Sequence, residues 1–250
     1  MTLTDTPRAL ELEERLQRVR NRISAAPRPA GVGEPRLIVV TKYFPASDVE
    51  ILAGLGVRDV GENKDQEASA KAAQLHGLGL DWHFIGQLQS NKAKSVVRYA
   101  SSVHSVDRAS LVTALGKAMA AEQGRRAQAG LPSRPELACF LQVDLRTAAA
   151  RDADPGRGGA APEDLPQLAD AVSGTPGLVL DGLMAVAPLD EEPAAAFARL
   201  RGLSERLQAD HPGARGISAG MSSDLEAAAA NGATHLRIGS DVLGPRPPVR

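Results

Sequence analysis

A lysine closes the apolar run RLIVVTK, and its position suits a nucleophile. If Lys42 points into a water-poor cleft, its amine is partly desolvated, its pKa falls, and it can form a Schiff base with an aldehyde. Alternation puts Ile38, Val40 and Lys42 on one face and Leu37, Val39 and Thr41 on the other, and one strand alone does not say which face is inward. A solvated lysine at a strand end is the competing reading. A second charge, Arg237 in HLRIGSDVLG, sits in the middle of an apolar strand, where a guanidinium is costly unless a partner offsets its desolvation.

Two hydroxyl-bearing turns accompany these cations. In AGMSSDLEAAAA, Gly220 allows close backbone approach, Ser222 or Ser223 can cap the following helix, and Asp224 and Glu226 suit its positive end. Capping explains most of that pattern, yet the same helix start offers N–H groups and a hydroxyl to a phosphate. Gly239 and Ser240 finish the next strand and supply a second such turn. After another strand, Glu62 and Asn63 stand in GENKDQEA, where Asn63 reads as a helix cap or as a residue that reaches a ligand. His83, inside WHFIG, reads as a hydrogen-bonded core residue, with Gly86 at the turn and Ser90 at the next helix start. The five histidines are scattered and Cys139, the single cysteine, lies in the apolar run ELACFLQV, so no metal site or internal disulfide is expected.

The elements that must position these residues alternate. A first amphipathic helix over residues 8 to 25 precedes eight apolar strands: RLIVVT, RDVG, WHFIG, SVHSV, ELACFLQV, LVLDGLMAV, GISA and THLRIG, separated by helical segments. Eight strand and helix pairs in 250 residues, with no break that reads as a linker, predict an α/β protein. The preferred form is a single-domain (β/α)8 TIM barrel with an additional N-terminal helix, and a doubly wound open sheet is the alternative. In such a barrel the site lies at the C-terminal ends of the strands, and phosphate commonly binds after strands seven and eight. Residues 147 to 164, rich in Ala, Gly and Pro, are expected to form a mobile loop over the site, and residues 245 to 250 a flexible tail. A net charge of -1 with 24% charged residues gives no footprint for nucleic acid, and no run is long enough for a membrane span or a signal peptide. A cytoplasmic protein with a small-molecule partner is expected.

Taken together, VVTKYFP, GENKDQEA, WHFIGQLQSNK, GLMAVAP and GMSSDLEAAAANGATHLRIGSDVLG span nearly the whole chain and resemble the pyridoxal phosphate homeostasis proteins, the PROSC or YggS-type family. The resemblance implies a barrel similar to the N-terminal domain of alanine racemase, binding pyridoxal 5'-phosphate (PLP) as a covalent imine to Lys42. It also implies phosphate ligands at Ser222, Gly239 and Ser240, a pyridine-nitrogen partner at Arg237 and a cofactor-side asparagine at Asn63. Lys64 and Asp65 replace the family's frequent aromatic or apolar pair and are expected on a helix surface; Ser240 stands where threonine is common, and Arg157 and Gly158 where a flap lysine and glycine are usual.

Members of the family have no established turnover and are thought to buffer PLP, so no catalytic residue is assigned. Arginine can only donate to the pyridine nitrogen, which favours the unprotonated ring and a weak electron sink. Racemases of this fold add a tyrosine base from a second domain; neither Tyr43 nor Tyr99 is an obvious substitute. The expected function is therefore a monomeric carrier that exchanges PLP with amino acids or PLP-dependent apo-enzymes. A weak amino-acid racemase is the runner-up, and a barrel enzyme of phosphorylated metabolites without PLP the third reading.

Overall fold

Arg237 and Ile38 lie side by side in a parallel pairing of the last strand with the first, and that pairing closes the sheet. The computed structural model describes residues 6–154, 156 and 158–246. Its strands follow one another around a closed barrel in chain order. They are β1 (Arg36–Val40), β2 (Asp59–Glu62), β3 (Asp81–Phe84), β4 (Ala100–Val106), β5 (Leu137–Gln142), β6 (Leu178–Met184), β7 (Gly216–Ser218) and β8 (His235–Ile238). The protein is a single-domain (β/α)8 barrel, and the open-sheet alternative is excluded.

Around the barrel run α1 (Pro7–Ala25), α2 (Ala46–Gly54), α3 (Asp65–Gln74), α4 (Ala93–Val96), α5 (Ala109–Gln128), α6 (Ala148–Ala153), α7 (Leu165–Ser173), α8 (Pro193–Asp210), α9 (Leu225–Ala230) and α10 (Ser240–Leu243). The helix α1 starts where Thr6 accepts from the Ala9 N–H, with Pro7 in the first turn. Its buried stripe of Ala9, Leu12, Leu16, Val19 and Ile23 follows the helical period and docks it on α2, α9 and α10.

Register assigns the faces that a single strand could not. Val39, Leu236 and Ile238 belong to the apolar layer between strands and helices. Their neighbours Ile38, Val40 and Arg237 point inward: a side chain added at inward-facing Gly61 would touch Ile38 and Val40. The interior also holds Phe140, stacked on His104 with ring centroids 4.3 Å apart. Parity then carries Lys42 toward the mouth.

Several local expectations change. The strand β1 stops at Val40 rather than Lys42, although the Thr41 N–H still bonds the Gly61 carbonyl, because Tyr43 turns the chain with φ 72°. Glu62 ends β2 rather than following it, and α3 begins at Asp65 with Lys64 at its cap. Asn63 is therefore not a helix cap. As expected, Lys64 is exposed; Asp65 is half-buried.

The segment 147–164 carries α6, capped by Thr147, and a strand-like bridge from Val143 to Ala160. Arg157, the expected flap residue, and residues 247–250 of the expected tail lie outside the described residues. Among the described residues no helix is long and apolar enough to cross a membrane, and no cluster of three or more His, Cys, Asp or Glu could hold a metal.

Candidate functional site

At the C-terminal mouth, a cavity of about 510 Å³ is bounded by Lys42, Tyr43, Ile85, Ser222, Arg237 and Ser240, with Gly239 in the same wall. Five of the six residues singled out from sequence thus converge on one space. The sixth, Asn63, stands just past β2 and does not contribute to this lining. Its Oδ1 is nonetheless buried with no hydrogen-bond partner among the described residues. Gly86 explains the close fit there, since a Cβ at that position would lie 2.7 Å from the Asn63 Cα.

Lys42 is presented by a backbone held from both sides. On one side, the buried Thr41 hydroxyl donates to Glu62 Oε1 at 2.7 Å, and the Lys71 ammonium donates to the Thr41 carbonyl at 2.9 Å. On the other, the Tyr43 N–H donates to Glu67 Oε1 at 2.7 Å, which offsets part of the strain of its left-handed backbone. Lys71 joins the two halves by pairing with Glu62 at 2.7 Å and Glu67 at 2.6 Å. Burial raises the Glu62 carboxyl above its ordinary range despite the opposing pull of Lys71 and Thr41. This clamp was missed in the sequence, although the i,i+4 spacing of Glu67 and Lys71 on a helix adjoining Lys42 was a usable signal.

The hydroxyl turns meet as expected, but neither serine caps a helix. The cap position of α9 is Asp224, whose carboxylate accepts from the Met221 N–H at 2.5 Å and so shapes the turn. Ser222 Oγ is left 3.2 Å from Ser240 Oγ, bringing the loops after β7 and β8 together. Gly220 has φ 93°, and a Cβ there would lie 2.6 Å from Ala228 and 2.7 Å from Leu236. From outside, Arg22 of α1 ties both loops: it donates to Glu226 at 2.8 Å, to Asp241 at 2.5 Å and to the Ser222 carbonyl at 3.0 Å. Nothing in the sequence near Arg22 announced that long-range role.

Arg237 points inward, 5% exposed, and among the described residues it is not paired to a carboxylate. Its Nη1 donates to Ser218 Oγ at 2.6 Å and its Nη2 to the Ala185 carbonyl at 2.9 Å. Burial pulls its pKa down to about 10, with Asp224 opposing, so the group remains a cation and a donor at neutral pH. Of the two tyrosines, Tyr43 forms a cavity wall with Arg246 stacked 3.8 Å from its ring centroid. Tyr99 donates to Asp65 at 3.3 Å, and burial, then Asp65, raises its phenol far above the ordinary value. His83 is the buried, hydrogen-bonded core residue expected, with the acid partner Asp59 that sequence could not supply.

Residues 14–247 match the family model described as alanine racemase, N-terminal domain. A pyridoxal phosphate homeostasis protein of Mycobacterium tuberculosis is 43% identical over 256 residues, spanning 96% of this chain and 94% of its own. One of Pseudomonas aeruginosa is 44% identical over 233 residues, spanning 92% and 91%. The structure of PipY from Synechococcus elongatus with PLP bound is 33% identical, with a TM-score of 0.73 over 93% of this chain and all of that one. The chain belongs to the pyridoxal phosphate homeostasis protein family, whose barrel is that of the alanine racemase N-terminal domain.

Proposed function

We propose that this protein binds PLP in the cavity at the barrel mouth and serves intracellular PLP homeostasis as a carrier rather than as an enzyme. The observation that carries the reading is the convergence of an amine, two hydroxyls and a buried donor-only guanidinium on one space of about 510 Å³. That donor set fits the cofactor: Lys42 for the aldehyde, as a reversible imine; Ser222, Gly239 and Ser240 for the phosphate; and Arg237 for the pyridine nitrogen. Asn63, with a buried acceptor lacking a partner, is assigned to the cofactor side of β2.

PLP, when bound, supplies an electron sink for chemistry at an amino acid's α-carbon. The residues of this chain work against its full use. Arg237 stays a cation and donates, so it has no proton-accepting site to offer and favours an unprotonated ring nitrogen. Tyr99 is tied to Asp65 with its phenol held protonated, which removes it as a second base. Incoming amines, from amino acids or from PLP-dependent apo-enzymes, would then displace Lys42 and take the cofactor away. A cytoplasmic location and a monomeric state belong to the same proposal.

Loading tests it. Protein mixed with PLP and passed through gel filtration should retain one cofactor per chain with an imine absorption band, and Lys42→Ala should lose the band. Racemisation of alanine or serine should not exceed the rate of free PLP. Turnover above that rate, abolished by Lys42→Ala, would replace the carrier by a racemase.

A further inference from the structure

The interior of the barrel carries a line of polar contacts that begins at its floor and ends at Arg237. Asp59, which opens β2 beside Arg36 at 3.2 Å, lies 2.9 Å from His83 Nε2. His83 Nδ1 is 3.0 Å from His104 Nε2, and His104 Nδ1 is 2.8 Å from Ser218 Oγ. Ser218 Oγ is the atom that accepts from Arg237 at 2.6 Å. His83, His104, Ser218 and Arg237 are all buried, so these groups depend on one another rather than on solvent.

We infer that Asp59, His83, His104 and Ser218 form one directional hydrogen-bond relay that fixes the proton on each ring and positions the Arg237 guanidinium in the mouth. The two ends dictate the direction. An ionised carboxylate can only accept, so His83 must carry its hydrogen on Nε2, which leaves Nδ1 as an acceptor. His104 must then donate from Nε2, leaving its Nδ1 to accept from the Ser218 hydroxyl. That hydroxyl, having given its hydrogen away, offers its lone pairs to Arg237, which can only donate. Every link from Arg237 to Asp59 points the same way, and a chain of aligned bonds between a cation and an anion strengthens each member.

The surrounding groups agree with this assignment. Burial above all, with the Arg237 guanidinium adding to it, holds the His104 pKa well below its ordinary value and keeps the ring neutral. Burial opposes ionisation of Asp59, but its hydrogen bond to His83, with the Arg36 guanidinium nearby, helps bring its pKa below the ordinary value. An imidazolium at His83 would reverse His104 and aim a second donor at Ser218 Oγ beside Arg237. These are positioning residues: in the relay, only Arg237 reaches the cavity.

The consequence for the cofactor rests on the reading proposed above, whereas the ring tautomers do not. Long-range proton–nitrogen spectra of the cofactor-free protein at pH 7.5 should show His83 and His104 both neutral with hydrogen on Nε2. Removing both ends together, with Asp59→Leu and Ser218→Ala, should abolish that single pattern, while Ser218→Ala alone should keep it because the carboxylate end remains. With PLP, Ser218→Ala should weaken retention about tenfold, as expected for loss of a bond to a charged group, and Ser218→Thr should restore it. An Nδ1–H or doubly protonated ring in the wild type, or an unchanged pattern in the Asp59→Leu and Ser218→Ala double variant, would overturn the relay. So would undiminished retention in Ser218→Ala. A wild type that binds no PLP but shows the expected tautomers would refute the carrier and leave the relay standing.

Discussion

Replacing Lys71 by methionine removes the ammonium that holds both sides of the Lys42 backbone. Lys71 is 6% exposed and Glu62 1%, and Glu62 Oε2 is buried without a partner even in the wild type. Breaking a buried ion pair from one side costs about 3–5 kcal/mol because the remaining charge is left uncompensated. Bonds to the Thr41 carbonyl and to Glu67 go with it, so the turn at Tyr43 should loosen as well.

The loss should depend on pH. Glu62 is already raised in the folded state, so the native protein holds its proton more tightly and stability falls as pH rises from the unfolded value toward the folded one. Without Lys71 the folded value moves further up. The cost of the substitution should therefore be smaller at pH 5 than at pH 8, because protonation of Glu62 relieves the uncompensated charge. Urea denaturation at both pH values and equal ionic strength measures this, and Lys71→Met with Glu62→Gln should recover most of the loss. A cost below about 1 kcal/mol at pH 8, or an equal cost at both pH values, would refute the uncompensated-charge argument.

Other expectations are simpler. Gly86→Ala should destabilise by about 1–3 kcal/mol in urea titrations, the usual cost of overpacking, because the new Cβ meets the Asn63 backbone and neither side is a flexible chain end; it should also weaken PLP retention if Asn63 serves the cofactor. Burial pushes the Cys139 thiol up to about 12, so it should resist a thiol reagent at pH 8 in native protein and react at once in denaturant.

Most of the architecture was legible because parallel barrel strands are short apolar runs at regular spacing, and the candidate site because its residues lie at or just past the strand ends, with Arg237 standing out as a charge inside the last strand. Alternation along HLRIG already sets Leu236 and Ile238 toward the helices and Arg237 into the barrel, and the register of β8 with β1 agrees. Boundaries failed where side chains outside the run decided them. Thus Glu67 holds the turn at Tyr43, and Asp224 rather than a serine shapes the start of α9. Short helices such as α6 and α10 left little periodic signal. Illegible too were contacts between distant positions: Arg22 with the β7 and β8 loops, and the Asp59 to Arg237 relay, in which ordinary core residues acquire meaning only by adjacency.

Attachment of PLP at Lys42 can be tested chemically. Protein loaded with PLP should be reduced with borohydride, digested and weighed by mass spectrometry. The reduced cofactor mass should appear on the peptide containing Lys42, in near-stoichiometric yield, with none on Lys64 or Lys71. No adduct, or an adduct on a lysine outside the cavity with Lys42 unmodified, would contradict it.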